Sequence, residues 1–172
     1  KGANMNKKVI VAGHICVDIT PEVLGKKVSN LNEILAPGKL IPSGDITIST
    51  GGAVANTGLS MKLFGADVSL MGKVGKDDFG AIVQRALRKY GCESDMIVSE
   101  KDVTSYSIIL AIPGIDRIFF HNPGANDVFY LKDMDMEKIK DAALFHFGYP
   151  PIMRSMYENN GEELVRIFKA VS

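Results

Sequence analysis

The chain has 172 residues with 20 basic and 20 acidic side chains, so its formal charge is zero and it offers no cationic surface for a nucleic acid or an anionic membrane. Hydrophobic residues make up 46% and charged ones 23%, the balance of a globular domain long enough to bury one core. No apolar run nears the roughly 20 residues of a membrane span and no signal peptide is visible. The two cysteines, Cys16 and Cys92, form no CxxC pair and no disulfide framework, which favours a reducing cytosol.

Lys1 to Asn4 read as residues ahead of a native start at Met5. Lys8 to Ala12 is a short, largely β-branched run that predicts a buried first strand ending at Gly13. His14, Ile15, Cys16, Val17 and Asp18 follow. In an open α/β sheet, ligands sit beyond the carboxyl ends of the strands. Asp18 there either accepts hydrogen bonds from ligand hydroxyls or caps the following turn. His14 and Cys16 read as packing residues. Pro21 to Gly44, rich in Gly, Pro, Asn and Lys, is too long for an ordinary connection and predicts either a functional lid or a surface excursion.

Asp45 to Thr50 alternates polar and apolar residues, as a half-buried strand does. Gly51 and Gly52 then precede a helix predicted over Ala53 to Phe64. Paired glycines let backbone approach a ligand, and a helix N-terminus offers free N–H groups and partial positive charge. Asn56 adds a side chain that both donates and accepts. This combination suits a polyhydroxylated or anionic small molecule, and equally a strand-to-helix turn with a tight crossing. Ala55, Leu59 and Leu63 make a helical stripe, and Gly65 suits a left-handed C-cap.

Val68 to Val74 predicts the next parallel strand, ending at Gly75. Asp77 or Asp78 caps a second helix with Ile82, Val83, Ala86, Leu87 and Tyr90 on one face, stopped by Gly91. Tyr106 to Ile112 and Arg117 to His121 predict a hairpin across Pro113 to Asp116. Arg117 and His121 read as exposed hairpin charges in preference to ligand contacts. Pro123 to Asn126 reads as a structural turn. Ala142 to Phe147 predicts a buried parallel strand, with His146 in the core or at the strand end. Glu162 to Ala170 predicts an amphipathic helix with Leu164, Val165 and Phe168.

Alternating strands and helices give an α/β class with a mainly parallel sheet. The phosphate-loop, dinucleotide, nucleophile-elbow and zincin motifs are all absent from the 172 residues.

Gly51–Gly52, Asn56, Gly65 and Gly75 stand at the spacing of the first signature of the ribokinase (PfkB) family, and the chain resembles the N-terminal portion of those carbohydrate kinases. Val54 stands where the family usually has a small residue and Gly58 where it often has Ala. The run from Gly75 to Gly80 resembles the family's G-x-D-x-x-G turn, whose plain role is capping and tight packing. The resemblance implies a Rossmann-like, mainly parallel sheet flanked by helices, with a small β-sheet lid near residues 20–50 and 105–122. Residues 1–172 would form the N-terminal part of that domain, the C-terminal half of the family fold being absent.

The resemblance further implies that Asp18, Gly51, Gly52 and Asn56 bind the acceptor, with no catalytic residue and no metal ligand in this chain. The family's general-base Asp lies in a D-T-x-G-A-G-D-like run that these residues lack. ATP and Mg2+ are thus implied for a full-length protein, and neither is expected on this chain alone. Several sugar kinases carry an acidic sugar contact near the position of Gly148, so a ribose-type contact set does not carry over. The implied activity is ATP-dependent phosphorylation of a hydroxyl on a sugar or nucleoside by a cytoplasmic parent protein, with this chain inactive alone. Its alternative is a non-catalytic sugar-binding or dimerisation module, and a third is an α/β interaction domain with no ligand. No nucleic acid or membrane partner is expected, while exposed lid edges invite a homodimer.

Overall fold

The structure is a computed structural model describing residues 8–25 and 27–172, so the reading of Lys1 to Asn4 lies outside the described residues. The first half of the chain runs β1 (Val9–Gly13), β2 (Cys16–Val23), β3 (Ser43–Gly51), α1 (Gly52–Leu63), β4 (Val68–Met71), β5 (Lys73–Gly75) and α2 (Asp78–Arg88). The second half runs β6 (Ile97–Ser99), β7 (Tyr106–Leu110), β8 (Ile118–Asn122), α3 (Met136–Lys140), β9 (Leu144–Gly148), α4 (Arg154–Tyr157) and α5 (Glu162–Val171).

β1 pairs in parallel with β4 on one side and β9 on the other. Successive residues of a strand point to opposite faces, and β1 is apolar on both. Val11 packs with Val54, Ala55, Leu70, Val83 and Leu87, beneath α1 and α2. Ile10 and Ala12 pack with Met71, Phe129, Phe147, Met153, Met156 and Ile167, beneath α4 and α5. The result is a parallel sheet between two helical layers, as the alternating strand and helix signals imply.

The second sheet has the order β3-β2-β7-β8, with β2 and β7 parallel and the outer pairs antiparallel. Its register puts Ser49, Asp18, Ser107 and His121 in one row across the sheet and Ile48, Ile19, Ile108 and Phe120 in the next. Adjacent rows face opposite sides. One face is therefore polar around Asp18. On the other, Val17 is buried with Ile19 and Tyr106 packed beside it, and Tyr106 lies 5.5 Å from the ring of Phe79.

Three sequence expectations are corrected here. Val68 to Val74 is not one strand: β4 pairs with β1 and β5 with β6. β1 ends opposite Met71 and turns away after Gly13, so the chain beyond Gly72 needs a new partner. Cys16 to Val23 is a strand, with Asp18 inside it, so the turn-capping alternative for Asp18 is not realised. The apolar stripes of two helices are displaced. Leu63 is 69% exposed, because twelve residues of helix (about 18 Å) outrun strands of four or five (about 13–17 Å). In α5 the core side chain is Ile167, with Leu164 and Val171 beside it, while Val165 and Phe168 lie on the flank.

The turn from Gly75 to Gly80 has the structural role read from its sequence. Asp77 caps α2: it accepts hydrogen bonds from the Gly80 N–H at 2.7 Å, the Thr104 N–H at 2.7 Å and the Thr104 hydroxyl at 2.6 Å. Burial opposes ionisation, but these bonds together hold the carboxyl below its ordinary pKa. The Thr104 oxygen also accepts from the Gly75 N–H at 2.8 Å, joining β5, α2 and the approach to β7. Asp77→Ala should lower unfolding stability by about 2–4 kcal/mol, from one lost cap and two further orphaned donors, in urea denaturation at pH 7. The difference from wild type should shrink as the pH falls below the carboxylate range, because protonation removes the same bonds.

Candidate functional site

Only His14 and Ile15 link β1 to β2, and their backbone is tied at every polar group. The His14 N–H donates to the Gly148 carbonyl at 3.2 Å, and its own carbonyl accepts from the Val54 N–H at 3.1 Å. The Ile15 N–H donates to Asn126 Oδ1 at 3.1 Å, and Asn126 Nδ2 donates to the Ile15 carbonyl at 2.9 Å. Asn126 is fully buried, which accords with the structural reading of Pro123 to Asn126.

The chain returns to this link through the paired glycines. Gly52 has φ +85°, and a Cβ there would stand 2.5 Å from the His14 carbonyl oxygen and 2.7 Å from His14 Nδ1. A Cβ on Gly51 would stand 2.1 Å from Asp18 Oδ2. The Gly52 contact is with backbone, so that position accepts no larger residue, while a side chain on Gly51 would displace the Asp18 carboxylate. With Gly51 as its N-cap, α1 begins without a side-chain cap, and the His14 carbonyl serves the Val54 N–H in its first turn.

A cavity of about 480 Å³ opens at this junction. His14, Gly52 and Asn56 line it where the β1–β2 link meets α1, with His14 and Gly52 buried and Asn56 exposed. Cys16, Asp18, Ser107, Ile109, Phe119 and His121 line the lid side, all on the Asp18 face of the second sheet. Arg117, Tyr149 and Ile152 complete the wall. Of the sequence-predicted residues, Asp18, Gly52 and Asn56 line the cavity, and Gly51 packs against the Asp18 carboxylate. Arg117 and His121 are exposed, as read, and face the cavity as well.

His14 and Cys16 are buried, as the packing reading has it, and they also line the cavity; Ser107 and Tyr149 line it without having been singled out in the sequence. The available signal was period-two alternation: once residues 16–23 are read as a strand, Cys16 and Asp18 share a face, and Ser107 and Ile109 do the same in β7. Tyr149 carried no such signal. Its left-handed backbone (φ 63°) at the end of β9 belongs to the turn that carries the ring to the cavity.

The electrostatics follow from burial. Cys16 Sγ donates to Asp18 Oδ1 at 3.3 Å, and burial together with that carboxylate pushes the thiol well above its ordinary pKa. Burial, and secondarily His121, pull His14 down to about 4, so its imidazole is neutral at pH 7. Burial lowers His121 too, against the opposing pull of Asp18 and Asp127, and its Nδ1 lies 3.0 Å from the Ser107 hydroxyl. The Arg117 guanidinium lies 5.5 Å over the Phe119 ring. Among the described residues no group of three or more His, Cys, Asp or Glu side chains is placed to hold a metal ion, and no helix is long and apolar enough to cross a membrane. What these groups supply is directional hydrogen bonding around one carboxylate, beside a helix end without a side-chain cap.

Residues 6–170 match the family model described as pfkB family carbohydrate kinase. A fructokinase-1 of Zea mays is 25% identical over 143 residues, covering 81% of this chain and 41% of that protein. The ribokinase of Giardia lamblia superposes with a TM-score of 0.74 at 18% identity, over 96% of this chain and 47% of that one. The fructokinase of Xylella fastidiosa with bound ATP superposes at 0.63 and 20% identity, over 82% of this chain and 41% of that one. The chain thus spans about two fifths of the length of the curated relatives it matches.

Two outcomes follow from the burial of the site. The unfolded state binds a proton on His14 near pH 6.5 and the folded state only near pH 4, so stability should decrease as the pH is lowered across that window. A His14→Phe variant should lose that part of the slope in urea titrations run from pH 7 to pH 4. Cys16 and Cys92 are each 3% exposed and both thiols are pushed up by burial. Neither should react with Ellman's reagent at pH 8 until the protein is unfolded.

Proposed function

This chain belongs to the pfkB family of carbohydrate kinases, and we propose that the full-length protein transfers the γ-phosphoryl group of ATP, with Mg2+, to a hydroxyl of a sugar or nucleoside. In this reading the chain is the acceptor-binding half. The carrying observation is the Asp18 carboxylate facing a cavity beside the start of α1, which has no side-chain cap, with glycine at both approach positions. The fructokinase names of the relatives and the ATP held by the Xylella fastidiosa enzyme support a sugar acceptor and an ATP donor.

The proposed roles are physical. Asp18 accepts hydrogen bonds from two acceptor hydroxyls, its charge making each stronger than a neutral pair. Asn56, one turn into α1, donates and accepts at a neighbouring hydroxyl. Gly51 and Gly52 leave the helix N–H groups within reach of the sugar. ATP and its magnesium supply the phosphoryl group and neutralise its charge. The 172 residues contain no glycine-rich run with the family's general-base Asp, so the chain alone binds acceptor without turnover. Two buried, unpaired cysteines fit a reducing cytoplasm. Half-exposed Ile46, Ile48 and Phe120, on the lid face opposite Asp18, fit pairing of two copies through the lid.

Calorimetric titration of D-fructose, D-ribose and adenosine into this chain tests the reading. At least one should bind saturably, and Asp18→Asn should weaken it tenfold or more, about 1.4 kcal/mol, with little change in the unfolding midpoint. A coupled ADP assay on the same sample should show no sustained product. Equal binding by Asp18→Asn would sink the acceptor assignment, and steady turnover would sink the half-site reading.

A further inference from the structure

His14 is the most buried polar side chain facing the cavity, at 2% exposure, and neither Nδ1 nor Nε2 has a hydrogen-bond partner. Its backbone needs nothing more, since both its N–H and its carbonyl are bonded. The ring sits against the bare Cα of Gly52, 5.2 Å from the His121 ring and 6.1 Å from the Tyr149 ring, centroid to centroid. A buried polar group left unsatisfied costs about 1–3 kcal/mol, and interiors rarely leave one so. An apolar ring of the same size would pack here without that cost.

We propose that His14 is a specificity-determining residue that hydrogen-bonds a hydroxyl of the bound acceptor in the cavity. This rests on the acceptor-binding reading above and adds to it the chemistry of the site beside the β1–β2 link. A neutral imidazole presents one donor and one acceptor on different edges of the ring, and a hydroxyl, which can donate or accept, pairs with whichever nitrogen it meets. A carboxylate or phosphate in the same place would use only the donor and would face the Asp18 carboxylate across the cavity. This part of the cavity therefore selects an uncharged polyol end, and any anionic group on the acceptor lies toward Arg117. A role confined to packing would predict the reverse pattern, indifference to the ring nitrogens.

The test uses this chain, the three probes D-fructose, D-ribose and adenosine, and monodeoxy forms of whichever binds. His14→Phe keeps the ring without its nitrogens, and His14→Gln keeps a donor and an acceptor. His14→Phe should weaken binding tenfold or more while its ligand-free unfolding midpoint stays level or rises. His14→Gln should stay within about threefold of wild type. One monodeoxy analogue should bind wild type at least tenfold more weakly than the parent sugar yet bind His14→Phe about as well as the parent does, the signature of a direct contact.

Unchanged affinity in His14→Phe, with Asp18→Asn still losing binding, would overturn this inference and leave the acceptor reading intact. The same holds if affinity falls in step with the unfolding midpoint, or if His14→Gln binds no better than His14→Phe. Should His14→Phe fail to fold, His14→Leu replaces it; failure of both to fold makes the ring structural and overturns the proposal. Absence of binding by wild type to all three probes overturns the acceptor reading, and this inference with it.

Discussion

The rest of the molecule depends on the need to satisfy the backbone of a two-residue link. His14 and Ile15 carry the chain from the parallel sheet into the lid at a fully buried position, where an unpaired N–H or carbonyl is costly. Four hydrogen bonds meet that need, and together they recruit three different parts of the chain. Gly148 brings the end of β9, Val54 brings the first turn of α1, and the two bonds of Asn126 bring the turn after β8. Segments more than a hundred residues apart are thereby held at one point. The cavity forms where they converge, which is why its walls come from so many elements.

Once that link is set, the lid has little freedom. β2 starts immediately after Ile15, so the residue that pairs first, Cys16, decides which side chains of the strand face inward. Cys16 and Asp18 do, and the pairings carry that choice outward to Gly51 and Ser49 in β3 and to Ser107 and His121 in β7 and β8. A slip of one residue would turn Val17 and Ile19 into the cavity and Asp18 toward α2. The apolar face of the lid guards against that slip, because Val17 packs in the same cluster as Val83 and Leu87 of α2. Hydrophobic burial on one side of the sheet thus fixes the position of a carboxylate on the other.

The site's electrostatic character has the same origin. The two imidazoles are held toward the neutral form by burial first, and the thiol is held protonated by burial and by Asp18. Asp18 is a carboxylate beside neutral imidazoles and a protonated thiol, close to the start of α1, with Arg117 also on the cavity wall. Such a mixture offers donors and acceptors together, and the family to which the chain belongs is one of carbohydrate kinases.

The sequence by itself determined the local rules of this protein. It carried the β-branched first strand, the paired glycines ahead of a helix, an aspartate cap at 77 or 78, the hairpin over 106–122 and the alternation that marks an α/β fold. Each is a signal read within a few residues, as propensity and turn chemistry are. Asp18, Gly52 and Asn56 could be placed in advance because glycine spacing and a carboxylate near a strand end are local too. Only the tertiary structure decided the break of residues 68–74 into two strands, the exposure of Leu63 in α1 and the burial of Ile167 in α5, and the place of His14, Cys16, Ser107 and Tyr149 around the cavity. Those facts depend on which strand runs out of partners and which face a distant helix covers. A lone histidine after a strand looks the same in sequence whether it packs in a core or meets a ligand. Long-range burial sets its surroundings, here leaving both nitrogens without a hydrogen-bond partner beside a cavity.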